Sequence, residues 1–514
     1  RLFVDRARLS RPGFALTAEN AAAVGELVRR LEGIPLAIEL AAARTKMLTV
    51  RQILERMSDR FQLLSGGSRT TLERQRTLEA AIDWSYDLLT EAEADLFRRL
   101  SVFVGGWTLE GAACSVLGAA CDLPSTQHSA PSPEHALLDL LERLVDKSLV
   151  RVTQHTTGMR YGMLETIRQY AWRKLGASGA RAEATTRHVA WAARFVEPAD
   201  AALQGPEARS WAERLEVEHD NLRAALLRAR EAADGDVALR LCNALAYFWR
   251  IHGYLREGRR WIEEALAAAP GAPDAVRAHA LNSAGMLAYY QGELEDARRF
   301  LEQSVTLYAA TGDPDRAART LYNLGAITNA LGEYDRAVEL YEESIRRFRE
   351  LGNDAAAGRA VNGLGLVALD RGDFDLAAGH FKALLEAARA ADDLRGVAGA
   401  LHNLGVAARR RDAHDEAERL LDECLCLARD LDDKQLVASS IYGLGTVALD
   451  RGDLGTARER FGRALTMHRA LGAKDGVVDA LEGIACADAR QRPDRALRFL
   501  GAAAAQRDAM GLRL

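Results

Sequence analysis

The sequence predicts a mainly α protein that finishes in an α-solenoid, and three observations carry that prediction. First, residues 281–480 repeat every 40 positions: Gly285, Gly325, Gly365, Gly405 and Gly445 share one column, and Ala297, Ala337, Ala377, Ala417 and Ala457 share another. Leu281, Leu321, Val361, Leu401 and Ile441 make a third column, and Leu301, Tyr341, Phe381, Leu421 and Phe461 a fourth. A fixed period of this size marks one supersecondary unit stacked on copies of itself. Second, apolar residues inside each unit recur at three- and four-residue spacing, which is helical. Third, Gly292, Gly332, Gly372 and Gly452 interrupt the units midway, so each unit is two antiparallel helices joined by a tight turn.

Residues 1–65 read as a helical subdomain. Thr17 and Asn20 precede the series Ala22, Val24, Leu27, Val28 and Leu31, a cap followed by a buried face. Gly33-Ile34-Pro35-Leu36 then breaks the helix, with Pro35 in the first turn of the next, and a third helix covers about 50–61. Residues 66–175 read as a winged helix with a small β-wing: helices at 78–88, 91–103, 109–117 and 134–146, then strands at 148–152 and 159–163. The last of those helices carries Glu134, Asp139, Glu142 and Asp146 against Arg143 and Lys147. That face would repel DNA phosphates, so the expected role is structural packing rather than groove reading. Residues 176–240 form a helical connector, and 241–514 the repeat array. Its first unit runs one residue long at Gly253 and Trp261 before Pro270 and Pro273; its last, from Leu481, runs one short at Ala496.

Composition removes several function classes. The chain has 68 basic and 73 acidic residues, a net charge of −5, so no global basic footprint argues for nucleic acid. Its six cysteines form no CxxC pair and join no histidine cluster, which argues against a zinc site and fits a reducing, cytoplasmic setting. No apolar run approaches the ~18 residues of a membrane span, and the start is no signal peptide. No GxxxxGK[ST] phosphate loop is present; Gly66-Gly67-Ser68-Arg69 lacks the lysine, so this chain alone is not expected to hydrolyse ATP. His188, His219 and His252 have no nucleophile and carboxylate at matching spacing and are expected to cap or pack. A first residue of Arg and a helical pattern running to Leu514 suggest a piece of a longer protein.

The columns carry a family resemblance. Leu321-Tyr322-Asn323-Leu324-Gly325, Leu331-Gly332-Glu333-Tyr334, then Ala337, Tyr341 and Ile345, resemble a tetratricopeptide repeat. The usual period of that family is about 34, so helices or turns must be longer here. The resemblance implies that the first helices line a concave groove for a protein, a peptide or a small inducer. Its lining would include Asn282, Tyr289, Tyr322, Asn323 and Asn329 from the first two units. Asn362, His402, Asn403, Arg409 and Tyr442 would continue it. Asparagine amides can bond both the N–H and the C=O of an extended peptide, or can equally bond one another within the array.

A second resemblance covers the front of the chain. Leu31-Glu32-Gly33-Ile34-Pro35-Leu36-Ala37-Ile38 resembles the GLPLAL segment of signal-transduction ATPases with numerous domains, the NB-ARC-like group. It implies that Pro35 faces a nucleotide and that Gly33 shapes the turn. Asp83-Trp84-Ser85-Tyr86-Asp87-Leu88-Leu89, Arg98-Arg99-Leu100-Ser101-Val102-Phe103 and Tyr161-Gly162-Met163-Leu164-Glu165-Thr166 are similar to segments of large bacterial regulators. These join such an ATPase to tetratricopeptide repeats, often with a LuxR-type DNA-binding tail. Met163-Leu164-Glu165 aligns with the Met-His-Asp nucleotide sensor; leucine replaces the histidine, and Glu165 keeps a carboxylate. The implied cofactor, ATP or ADP, belongs to the full-length protein, and DNA would be met only through a domain outside this chain. The competing expectation is a repeat scaffold with neither ATPase nor DNA-binding activity.

Overall fold

The computed structural model describes residues 2–11, 13–30, 38, 41–42, 45, 48–55, 78–117, 133–155, 158–205 and 207–510. The chain is mainly α, with one small two-stranded sheet, and it divides into two compact units, 1–244 and 245–514.

In the N-terminal unit the expected caps are present. Asn20 Oδ1 accepts from the Thr17 N–H (2.9 Å) at the start of helix Ala18–Arg30. Thr49 and Gln52 close both halves of a capping box before Val50–Glu55 (3.0 and 3.3 Å). Thr90 and Glu93 do the same for Glu91–Leu100. Glu93 is 2 % exposed and stays ionised because the Lys147 ammonium donates to it at 2.7 Å; that bond holds its carboxyl below the usual range.

Two expected boundaries move by three residues. The helix predicted over 91–103 stops at Leu100, and Ser101, Val102 and Phe103 form a buried turn. The first strand begins at Arg151 rather than 148. Ser148 takes a left-handed φ of 57°, and the Leu149 and Val150 N–H groups both donate to Leu144 O (3.0 and 3.2 Å). These residues cap helix Pro133–Asp146 and send Leu149 and Val150 into the core, so apolar sequence that reads as strand belongs to a cap. Strand Arg151–His155 pairs antiparallel with Gly158–Gly162, Val152 facing Tyr161. Trp107 anchors the ribbon by exchanging backbone bonds with Tyr161 (2.8 Å each way). That close approach requires Gly106: its φ is 97°, and a Cβ there would lie 2.5 Å from Tyr161 O.

The C-terminal unit explains the 40-residue period. From Asp274 to Leu471 ten helices of 17 or 18 residues alternate with turns of two or three. The helices, not the turns, absorb the added length. Every twentieth residue from 292 to 472 is left-handed, and the turns close with a backbone bond such as Asp373 N to Ala368 O (2.8 Å) or Ala413 N to Ala408 O (3.0 Å). Glycine fills most of these positions, but Asp392, Asp412 and Asp432 (φ 51°, 59° and 50°) fill three. Asp313, Asn353, Asp393 and Asp433 follow directly and cap the next helix. The glycine column sits beneath the large residue sixteen positions on. A Cβ on Gly365 would meet the Phe381 ring (Cζ at 2.7 Å), and one on Gly405 would meet Leu421 (Cγ at 2.6 Å).

In the irregular first unit, Gly235–His252 and Leu255–Ala268 precede the proline loop, which ends with Pro273 as the cap of Asp274–Tyr290.

Candidate functional site

Each first helix of a repeat turns the same positions outward. Asn282, Tyr289, Tyr322, Asn323, Asn329, Asn362, His402, Asn403, Arg409 and Tyr442 are all half-buried, neither core nor free surface. The structure brings many of them together across neighbouring units. Asn323 Nδ2 donates to Asn282 Oδ1 (2.9 Å), and Asn403 Nδ2 to Asn362 Oδ1 (2.6 Å). Two turns further along, Asn329 Nδ2 donates to Asp370 Oδ2 (2.6 Å), and Arg409 Nη1 to Asp450 Oδ2 (2.8 Å). All four bonds span 41 residues, and each kind recurs after 80. Where an asparagine pair would otherwise fall, Gly363 and Gly443 admit Tyr341 and Leu421 from the unit before.

The asparagines therefore use part of their capacity inside the array. Each Asn–Asn pair consumes one N–H and one oxygen, leaving one amide group and the other oxygen for a ligand main chain. Arg409, Arg410 and Arg411 do not form a free basic patch. Arg409 holds Asp450, Arg410 stacks on Phe374 (5.6 Å), and Arg411 pairs with Asp375 and Glu416 (3.1 Å each).

Aromatic residues flank the amides. Tyr322 lies 5.6 Å from Tyr341, Tyr442 lies 5.4 Å from Phe461, and Tyr289 lies 5.4 Å from Tyr290. Burial pushes the Tyr289 and Tyr322 phenols up, and that of Tyr442 up to about 12, with Asp479 adding to it. These side chains stay neutral near pH 7 and offer an apolar face with a polar tip. His402 is kept neutral by burial, and its Nδ1 has no hydrogen-bond partner among the described residues.

In the N-terminal unit, Gly33 and Pro35 lie outside the described residues. Glu165 opens helix Glu165–Ala177 and binds within it: Arg168 donates to both its oxygens (2.7 and 2.8 Å) and Gln169 to one (2.8 Å). Arg168 also donates to Ser101 O (3.2 Å), and Arg228 donates to Val102 O (2.6 Å), so the 101–103 turn gathers two arginines. Desolvation lowers the Arg228 pKa to about 10. His188, 0 % exposed, stands edge-on to Phe103 (5.0 Å) and near Trp191 (5.3 Å); burial holds its pKa well below the ordinary value, with Arg228 adding to it. Cys114 is buried and disulfide-bonded, so cysteine usage does not by itself mark a reducing compartment.

One polar cluster escaped sequence reasoning. Arg160 in the second strand makes a two-pronged ion pair with Glu218 of helix Ala208–Glu231 and donates to Gly106 O (3.2 Å). Asn221 Nδ2 reaches Gly106 O (2.8 Å) and Glu218 (2.5 Å), while Val104 N donates to Asn221 Oδ1 (2.6 Å). All three side chains are buried. The cluster ties ribbon, glycine turn and connector helix together. The available signal was the pair Glu218 and Asn221, polar residues three apart on the helix face that also carries Leu215, Leu222 and Ala225.

Among the described residues, no group of three or more His, Cys, Asp or Glu could hold a metal ion, and no helix is long and apolar enough to cross a membrane.

Comparison with known proteins matches these features. Residues 277–311, 316–390 and 396–470 match tetratricopeptide repeats, and the array is built of them. Over 336 residues the chain is 40 % identical to a Mycobacterium tuberculosis protein provisionally named an HTH-type transcriptional regulator, covering 63 % of this chain and 36 % of that protein. Over 178 residues it is 41 % identical to an uncharacterized Mycobacterium tuberculosis protein, covering 35 % and 43 %. The chain thus spans well under half the length of these relatives. Among solved structures, a signal transduction ATPase with numerous domains and a tetratricopeptide repeat sensor, from Pyrococcus horikoshii, aligns with 99 % of this chain and 69 % of its own. Its TM-score is 0.50 at 15 % identity, a likeness of fold.

Proposed function

We propose that this chain is the sensing and coupling portion of a longer ATP-dependent transcriptional regulator of the NB-ARC-like kind, working in the cytoplasm. In this proposal residues 1–65 complete a nucleotide-binding core, with Gly33, Pro35 and Glu165 on its ATP or ADP side. Residues 66–175 act as a structural winged helix, 176–240 connect, and 241–514 bind an extended peptide or a protein segment. DNA is met by a LuxR-type domain outside this chain. Ligand in the groove and nucleotide in the core bias one two-state packing of the winged helix.

The observation that carries the sensing role is the alternating ladder. Asn282–Asn323 and Asn362–Asn403 present unspent amide donors and acceptors beside tyrosines on one helix face. Helices in contact lie about 8–10 Å apart, so the two pairs, two repeats from each other, suit a main chain of roughly 5–6 extended residues.

Selection from a random decapeptide display library on the 514-residue chain tests this role. Enriched peptides should lose binding to the variant Asn282→Ala/Asn323→Ala/Asn362→Ala/Asn403→Ala, in which both partners of each pair are removed together and no buried group is orphaned. Equal capture by that variant, with its helicity intact, would reject the groove assignment. A reading frame with no P-loop ahead of this segment and no helix-turn-helix after it would leave only the scaffold function.

A further inference from the structure

The ladder along the first helices has one rung of a different kind. Asn329 donates to Asp370 (2.6 Å) and Arg409 to Asp450 (2.8 Å), each across 41 residues. Two repeats before Asn329, Arg250 Nη1 donates to the Tyr290 hydroxyl (2.9 Å) across 40. The step is one shorter because the first unit sits one place late against the columns, as left-handed Gly253 does against Gly292. Arg250 therefore shares a groove position with Tyr289, Asn329 and Arg409. In the other two rungs the acceptor is a carboxylate; here it is a hydroxyl.

Nothing beside this guanidinium offsets its charge. Arg250 forms no ion pair among the described residues, and of its five N–H groups it spends one. Two rings hold it in place: Cζ lies 4.3 Å from the Tyr247 ring centre and 5.4 Å from that of Tyr290. Tyr289 stands edge-on to Tyr290 (5.4 Å), so the cation borders the aromatic side of the groove. A second cation comes from the other end of the array. A Cβ on Gly253, in the turn after Arg250, would lie 3.7 Å from Lys474 Nζ. Lys474 also enters no ion pair among the described residues, although the exposed Asp475 follows it in helix Lys474–Asp488. Two cations gathered without a counter-charge favour an anionic ligand. The rung is also within reach of the amides: Tyr290 lies about 12 Å from Asn282 along helix Asp274–Tyr290, the span of about three to four extended residues.

We propose that Arg250 takes a carboxylate of the bound peptide, at one end of the stretch held by the Asn282–Asn323 pair. The guanidinium offers its unspent donors to both oxygens, its plane already fixed by Tyr247 and Tyr290, and Lys474 adds charge. The carboxylate is that of an acidic side chain or of the C-terminus. The inference rests on the groove binding peptides, and it names the chemistry of one position in the ligand.

Peptides enriched in the display selection described above, synthesised with free C-termini, provide the probes. Each is compared with a copy amidated at its C-terminus and with a copy whose Asp and Glu are replaced by Asn and Gln. At least one copy should bind the chain about tenfold more weakly, and which one it is names the source of the carboxylate. Arg250→Gln should bring the parent peptide to the affinity of that copy and leave the copy's own affinity unchanged. Arg349→Gln, at an exposed arginine on the second helix Tyr334–Glu350, should change neither. Two copies that bind as tightly as the parent would overturn the carboxylate site and leave the peptide groove standing. A tenfold difference that survives Arg250→Gln, or an equal loss for parent and copy, would overturn the assignment of that arginine. No enrichment at all would overturn both.

Discussion

Replacing Gly365 by alanine should destabilise the third regular repeat, although alanine is the better helix former. Gly365 lies inside helix Asp354–Arg371 beneath Phe381, whose ring is 0 % exposed. An added Cβ would fall 2.7 Å from the ring Cζ and 2.9 Å from Cδ1, well inside contact distance. The ring is hemmed in by the next unit and cannot swing away, so overpacking costs about 2–3 kcal/mol, the upper part of its usual range. Alanine's helix propensity returns about 1 kcal/mol. The net loss is about 1–2 kcal/mol. Gly399 supplies the control: it is also mid-helix, but a Cβ there meets nothing within 4 Å, so Gly399→Ala should gain about 0.5–1 kcal/mol. Repeat arrays unfold in pieces, so hydrogen exchange in peptides covering 354–390 and 394–430 is the suitable assay. Protection should fall in the first case and rise in the second. Equal or higher protection with Gly365→Ala would refute the close-packed contact.

Other outcomes follow from the same geometry. Asp412→Gly should stabilise the array by about 1 kcal/mol, because a left-handed aspartate (φ 59°) gives way to the residue that tolerates it; a lower urea midpoint would contradict this. Glu218→Ala strands Arg160 in the core and should cost about 3–5 kcal/mol, read as loss of the N-terminal unit's unfolding transition; Arg160→Met/Glu218→Leu should recover much of it. His188 makes the N-terminal unit acid-sensitive. Its folded pKa is depressed below that of the unfolded chain, so the unfolded state binds the extra proton and stability falls as pH drops below about 6.5. The slope approaches about 1.4 kcal/mol per pH unit, and His188→Phe should flatten it in thermal melts between pH 7 and 5.

Much of the array was legible because its period ties each residue to a geometric job. Gly365 and Phe381 hold constant columns because one packs on the other, and the turn glycines recur because the left-handed position does. The alternation of 80 was not legible. Asn282 pairs with Asn323 rather than with Tyr322, the residue that shares its column, and a bond spanning 41 residues leaves no trace in a 40-residue column. The Arg160–Glu218–Asn221 cluster was hidden for a different reason. Its members come from a strand and a helix far apart in the chain and meet over a glycine turn, and a buried ion pair has the same composition as a solvated one. Ser148 misled because a cap and a strand start can share apolar sequence. Of the proposed site, residue types were readable and their internal pairing was not.

The most direct measurement is release of a fluorescent ADP analogue from the longer regulator proposed above, with and without a peptide selected on the proposed groove. Coupling between sites typically amounts to about 5–150-fold, so bound peptide should change the release rate by about tenfold, and the fourfold asparagine variant should abolish the change. The same rate with and without a peptide whose binding has been verified would contradict a sensor that works through the nucleotide switch.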